Sequence, residues 1–363
     1  MADDIEKELG LEEQYRASLL RKMILLAALI FALLVVTGWA LSMSEKDLGI
    51  IKCYRYIIDH IAGITYEPGS EDWTNDYNIW NFDVPRVLMA IIVGGSLAVC
   101  GVAMQSIMNN PLADPYTMGI SDGAVFGAVA SIVMGFGTAT LGDSMGLITS
   151  AFFGGLIPAL IIIFLSRVVN LSPATAILVG IALSYIFSGL ETAIMVSTDA
   201  DTLKQAYLWQ IGSLSRVDWL QVKIALVITL ISSTLLILSG RKLNLLSLGD
   251  DTAKSLGLNV DDFRTMIMVI VAITIAATVS FVGIVGFVGL VAPHIIRLLI
   301  GADNRHLIPI SLVTGALFIQ LADSIAHNFF FPELRVGLIV SIIGAPMFLY
   351  IILKKKKNYG EAL

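Results

Sequence analysis

The chain has 363 residues, 56% of them hydrophobic and only 14% charged, with a formal net charge of −6 and a mean hydropathy of +0.83. Soluble domains carry roughly 25% charged residues, so a water-soluble enzyme or regulatory domain is excluded. No basic stripe or basic–aromatic interleaving suits nucleic acid, and two cysteines, Cys53 and Cys100, are too few for a disulfide framework.

Residues 1–22 are acidic (DDIEKELGLEEQ), the wrong sign for a secretory leader, and read as a cytoplasmic N-terminal segment. Residues 23–353 read as one transmembrane domain. About 20 apolar residues cross a bilayer, and ten runs qualify: Met23–Met43, Val84–Met108, Tyr116–Gly137, Met145–Ser166, Ala174–Ser197, Trp219–Ser239, Arg264–Val282, Gly286–Ile300, Leu307–Ala326 and Val336–Leu353. The seventh and eighth share one apolar stretch broken by the glycines of FVGIVGFVG, and the short eighth run reads as kinked or partly re-entrant. A basic tail, residues 354–363, closes the chain.

Lys and Arg set the orientation. With both termini in the cytoplasm, that side collects most of them, including Arg16, Arg21, Lys22, Arg167, Arg241, Lys242, Arg264, Arg305 and the run Lys354–Lys357. The first outer loop, 44–83, is long, acidic and aromatic, suited to an interfacial cover or a docking surface. The only sizeable cytoplasmic segment, 241–263, reads as two short amphipathic helices punctuated by Gly249 and Gly257.

Candidate chemistry is sparse. The four histidines form no metal-type spacing, so neither a metal site, a cofactor nor a catalytic residue is expected. Gly249–Ser255 (GDDTAKS) has Ala253 where a phosphate-binding loop needs its second glycine, and no strand precedes it. ATP is not bound by this route. Charges inside spans are costly. Glu191 in the fifth span is either a helix–helix bond or a lining residue, Asp323 in the ninth is read as an internal structural partner, and Arg297 as a snorkelling end residue. Dense small residues, as in VGGSLAVCG (93–101), suit close helix packing.

Several blocks carry a resemblance over residues 83–353. They are VPRVLMAIIVGGSLAVCGVAMQSIMNNPLADPYTMGISDGA, LVGIALSYIFSGL, WQIGSLSRVDW, LNLLSLGDDTAKSLGLNV, GFVGLVAPHIIRLLIGADNR and ELRVGLIVSIIGAPMFLYIIL. Together they resemble the FecCD/BtuC-type permeases of type II ABC importers. The resemblance implies an all-α polytopic membrane protein of about ten spans, a BtuC-like bundle with an inverted repeat, in the plasma or inner membrane. It implies a homodimer that is not itself an enzyme, served by a cytoplasmic ABC ATPase dimer and an extracytoplasmic substrate-binding protein. The cargo would be a metal chelate: iron–siderophore, haem or corrinoid. By the same resemblance Leu183, Phe187, Glu191 and Met195 line the path. Leu245, Leu248, Gly249, Asp250, Ala253, Leu256 and Gly257 couple to the ATPase, and Arg86 and Arg335 meet the binding protein. Two departures touch that last contact: Arg335 stands where the family has proline, and His327 where it often has arginine. The rival reading is a secondary transporter driven by an ion gradient, for which Glu191 and Asp323 are the available coupling carboxylates.

Overall fold

The computed structural model describes residues 2–44, 48–135, 143–169, 172–215, 217–328 and 334–360. These form α1 (Ala2–Ser44), α2 (Ile50–Ile61), α3 (Glu71–Asn78), α4 (Val84–Ile107), α5 (Ile120–Met134), α6 (Asp143–Val169), α7 (Pro173–Val196), α8 (Ala200–Gln210), α9 (Trp219–Leu238), α10 (Gly240–Leu246), α11 (Asp250–Ser255), α12 (Val260–Val282), α13 (Val288–Ile300), α14 (Asn304–Asn328) and α15 (Val336–Gly360). Among the described residues, seven stretches are long and apolar enough to cross a membrane, and the shorter apolar helices α5, α13 and α15 match the remaining expected runs. The acidic N-terminal segment continues into the first span without a break, as one helix of 43 residues.

The end of the bundle from which α1 enters is called here the amino face, and the opposite end, roofed by α2 and α3, the cap face. Helix α4 lies at the centre, with 89% of its most apolar stretch buried. Its small residues are the reason. A Cβ at Gly94 would strike the Gly315 backbone of α14, and one at Gly101 the Gly289 backbone of α13, so these helices approach backbone to backbone. Helix α12 runs antiparallel to α4. Arg264 at its start donates to the carbonyl of Ile107 at the end of α4, and Thr278 near its end meets Ser96 at 3.1 Å.

Between α12 and α13 the chain is not helical. Gly283 takes φ +77° and Phe287 φ +64°, and residues 283–287 run beside 211–213 in a parallel bridge. Backbone groups there are satisfied in pairs: Ile284 N to Gln210 O, Gly212 N to Ile284 O, Ser213 N to Val282 O, and Gly337 N to Gly212 O, at 2.8–3.1 Å. At 1.5 Å per residue, the 13 residues of α13 reach only about 20 Å, short of a roughly 30 Å hydrocarbon core. Irregular backbone at that depth is tolerated because protein, not lipid, surrounds it.

Candidate translocation face and coupling surface

Helix α7 begins with Ser172 capping the Thr175 amide and Pro173 in its first turn. One stripe, Ala176, Gly180, Leu183 and Phe187, is buried. Gly180 lies on the Thr117 carbonyl, Phe187 on the Phe126 ring of α5 at 5.6 Å, and Ser184 donates to Asp122 at 2.6 Å. The opposite stripe is bare, with Leu178, Ile181, Tyr185, Ile186, Leu190 and Val196 exposed. Of the expected lining positions, Leu183 and Phe187 face the bundle in this chain: Leu183 is 9% exposed, against 77% for Tyr185 on the open side. The i, i+4 spacing of Leu183 and Phe187 is real, but the small Ala176 and Gly180 turn that stripe toward the bundle. Glu191 and Met195 are half-buried and gather on α8. Gln210 Nε2 donates to Glu191 Oε1 at 2.5 Å and lies 3.5 Å from Met195 Sδ.

Arg86, expected at the binding-protein contact, is engaged within the bundle. Its guanidinium grips Asp323 of α14 with two bonds, Nε to Oδ2 at 2.8 Å and Nη2 to Oδ1 at 3.0 Å, and Nη1 meets His327 Nδ1 at 2.6 Å. At 11% side-chain exposure, it does not offer a docking partner an uncompensated charge. Asp323, by contrast, has the internal partner the sequence called for. Arg335 keeps an open position. It donates to the Ile211 carbonyl at 3.4 Å and lines a cap-face cavity of about 770 Å³ with Lys204, Asp201, Trp209, Gln221 and Phe281. Arg297 does not snorkel. It donates to Gln105 Oε1 of α4 at 2.7 Å, inside the protein.

On the amino face, α10 and α11 form the short helix pair. Gly249 separates them at φ +100°, ψ 153°, a conformation essentially limited to glycine, and Gly257 ends the second at φ +87°. Leu243, Leu246 and Ala253 anchor the pair in the core while Leu248 and Leu256 stand out from it, 62% and 59% exposed. Leu245 is half-buried beside the core. Asp250 pairs with the buried Arg264 at 2.8 Å, which ties α11 to the ends of α12 and α4. Asn244 donates to Asp303 at 2.7 Å and accepts from the Asn304 amide at 2.8 Å, and Ser106 of α4 donates to Asn304 at 3.3 Å. Arg305 donates to the Asp303 carboxylate through Nε, Nη2 and its backbone amide, and these donors, with Asn244, hold the Asp303 carboxyl well below the usual carboxylate range. Sequence reasoning missed this clasp. In the sequence Arg264 stands only as a cytoplasmic charge opening the seventh run, and Asn244, a lone amide among leucines, is the available signal.

Among the described residues, no three His, Cys, Asp or Glu side chains gather to hold a metal ion. The FecCD transport family, as a sequence profile, matches residues 29–354. The chain belongs to that family. This FecCD chain is 40% identical over 289 residues to the hemin transport system permease protein HmuU of Yersinia pestis, covering 78% of this chain and 86% of that protein. It is 36% identical over 270 residues to the cobalamin import system permease protein BtuC of Halobacterium salinarum, covering 74% and 71%. A Methanocaldococcus jannaschii ABC transporter permease protein is 36% identical over 358 residues, 96% of this chain and all of its own length. A solved inward-facing metal-chelate type ABC transporter superposes with a TM-score of 0.78 at 28% identity, covering 91% of this chain and 98% of that one. A FecCD chain is a transport permease subunit, not an enzyme.

Proposed function

We propose that this permease carries a metal chelate across the membrane as a homodimer, driven by ATP hydrolysis in a separate subunit docked on the amino face. The observation that carries the reading is the clasped pair α10–α11. Two exposed leucines stand on short helices whose bases are pinned to α4, α12 and α14. A partner gripping Leu248 and Leu256 would move those helices as one body with the core. The excess of Lys and Arg on that face makes it cytoplasmic, so both chain ends lie there and the α2–α3 cap faces outward. The domain plan of residues 1–22, 23–353 and 354–363 belongs to the same proposal.

The path runs between two protomers along the bare stripe of α7, led by Ile181, Tyr185 and Ile186, with Glu191 and Met195 at its cap-side edge. Leu183 and Phe187 support that wall from behind. An apolar, weakly binding wall suits a bulky chelate, because tight binding inside the path would trap it. The relatives bear the names hemin and cobalamin, and the cargo here is of that broad class. A binding protein docks on the cap face, where Arg335 and Lys204 open the cavity to it.

ATP hydrolysis, measured in lipid vesicles with the cognate ATPase and the loaded binding protein, tests the reading. Hydrolysis that requires this chain and rises with loaded binding protein is expected. Leu248→Asp should leave insertion intact and abolish that stimulation. Uptake driven by an ion gradient without any ATPase would overturn the proposal and return Glu191 to the centre of the mechanism.

A further inference from the structure

Helix α2 is sharply amphipathic, and its two faces meet different surroundings. One face carries the buried Cys53 and Tyr56 and holds the cap together. Tyr56 donates to Asp72 at 2.6 Å, His60 lies 3.0 Å from Asp76, and the His60 ring stacks on Trp80 with centroids 4.2 Å apart. Trp80 in turn leans on Trp219 at the start of α9. The other face is apolar; Ile50 and Tyr54 rest on α1, while Ile51 is 86% exposed, Ile58 64% and Ile61 70%. Four isoleucines, Ile50 included, thus lie within about a third of the helix circumference at 100° per residue.

Where α2 lies is fixed by its contacts with α1. The Tyr54 hydroxyl donates to the Leu34 carbonyl, and Gly38 of α1 lies under Ile50 and Tyr54, so close that an added Cβ would strike both. The apolar run of α1 ends at Met43. Leu34 and Gly38 are nine and five residues short of that end, roughly 7–14 Å back along the helix at 1.5 Å per residue. The chain therefore turns back after α1, and α2 packs beside the apolar run of α1 rather than beyond its end. The neighbouring face of α1 is itself bare, with Phe31, Leu34 and Val35 exposed and only 11% of its apolar stretch buried. Arg55 and Lys52 lie together along one edge of the isoleucine stripe at 100° per residue, both exposed, Arg55 also pairing with Asp59, as an interfacial helix presents cations to lipid phosphates.

We propose that α2 is a lipid-embedded interfacial helix: Ile51, Ile58 and Ile61 lie in the acyl region of the cap-side leaflet, with Lys52 and Arg55 at its headgroups. Its lipid face continues that of α1. Its inner face carries α3 and the His60–Trp80–Trp219 stack, so the roof over the cap side is seated on the membrane as well as on the bundle.

Cysteine labelling in the intact permease tests this. Native Cys53 and Cys100 are buried, so Ile58→Cys or Ile51→Cys takes an environment-sensitive fluorophore selectively. The labelled chain is reconstituted in vesicles whose lipids carry bromine either near the headgroup or near the chain end. Both labels should lose most of their fluorescence to headgroup-proximal bromine, as should a Phe31→Cys control to one of the two lipids, while Asp72→Cys stays bright. Labels at 51 and 58 that stay bright while the Phe31→Cys label is quenched would overturn the proposal. So would labels that stay bright with both brominated lipids and respond only when binding protein is added, which would make the stripe a protein-docking surface. Two label sites guard against one variant failing to fold.

Discussion

Helices α4 and α7 are both apolar enough to span a membrane, with mean hydropathies of 2.4 and 1.8 over their most apolar stretches, yet 89% of the first is buried and only 11% of the second. Hydropathy thus separates a span from a loop but not an inner span from an outer one. The difference lies in small residues and paired charges. Helix α4 presents Gly94, Gly101, Ser96 and Gln105 to three neighbours and closes its cap end with Arg86 on Asp323. Helix α7 packs through one narrow stripe and leaves the rest uncovered.

The largest expected effect is at the glycine seam. Overpacking a tight core costs about 1–3 kcal/mol even where side chains can shift, and at Gly94 the obstacle is the Gly315 backbone. Gly94→Leu should therefore leave no monodisperse permease on size exclusion in detergent. Gly189→Leu on α7, where nothing lies within 4 Å, should fold normally. If both variants behave alike, the contrast between inner and outer spans fails.

Next comes charge. Removing one partner of a buried ion pair costs about 3–5 kcal/mol, so Arg86→Leu should lower the thermal midpoint sharply, and Asp323→Leu added to it should restore much of the loss. The matching change on α7, Glu191→Gln, should cost no more than about 1 kcal/mol, the net worth of one hydrogen bond. A midpoint unchanged by Arg86→Leu would release Arg86 for a docking role.

The smallest effect sharpens the comparison at the amino-face end of α4, where Ser106 reaches Asn304 and the Asp303 clasp. The Asp303 carboxyl titrates below its unfolded value of about 3.9. Its contribution is therefore complete above that value and lost as pH falls through the depressed folded value. Arg305 is partly exposed, so the pair falls in the surface range of about 0–1 kcal/mol. Asp303→Asn should lower the midpoint slightly at neutral pH and narrow its gap to the parent chain below pH about 3.9. A gap that widens on acidification would reverse the sign of this assignment.

Much of this was legible in the sequence. Apart from α1, which begins well before Met23, the apolar helices start and end close to the expected runs, because apolar length is a local property that bilayer thickness selects. Gly249 and Gly257 marked the α10–α11 pair, and the FVGIVGFVG glycines marked the break between α12 and α13. What stayed hidden was which way each span faces. The family resemblance implies Leu183 and Phe187 as path-lining and Arg86 as a contact of the binding protein, with nothing in the local sequence to say which way each faces. Only the packed bundle places Phe126 behind Phe187 and Asp323 beneath Arg86, 237 residues away in sequence. The Arg264–Asp250 and Asn244–Asp303 clasps were invisible for the same reason. The sequence by itself determined that this chain spans the membrane about ten times and where its helices break, since hydropathy and glycine act over a few residues. The tertiary structure alone decided which faces are open, because burial depends on neighbours that the chain brings together from far apart.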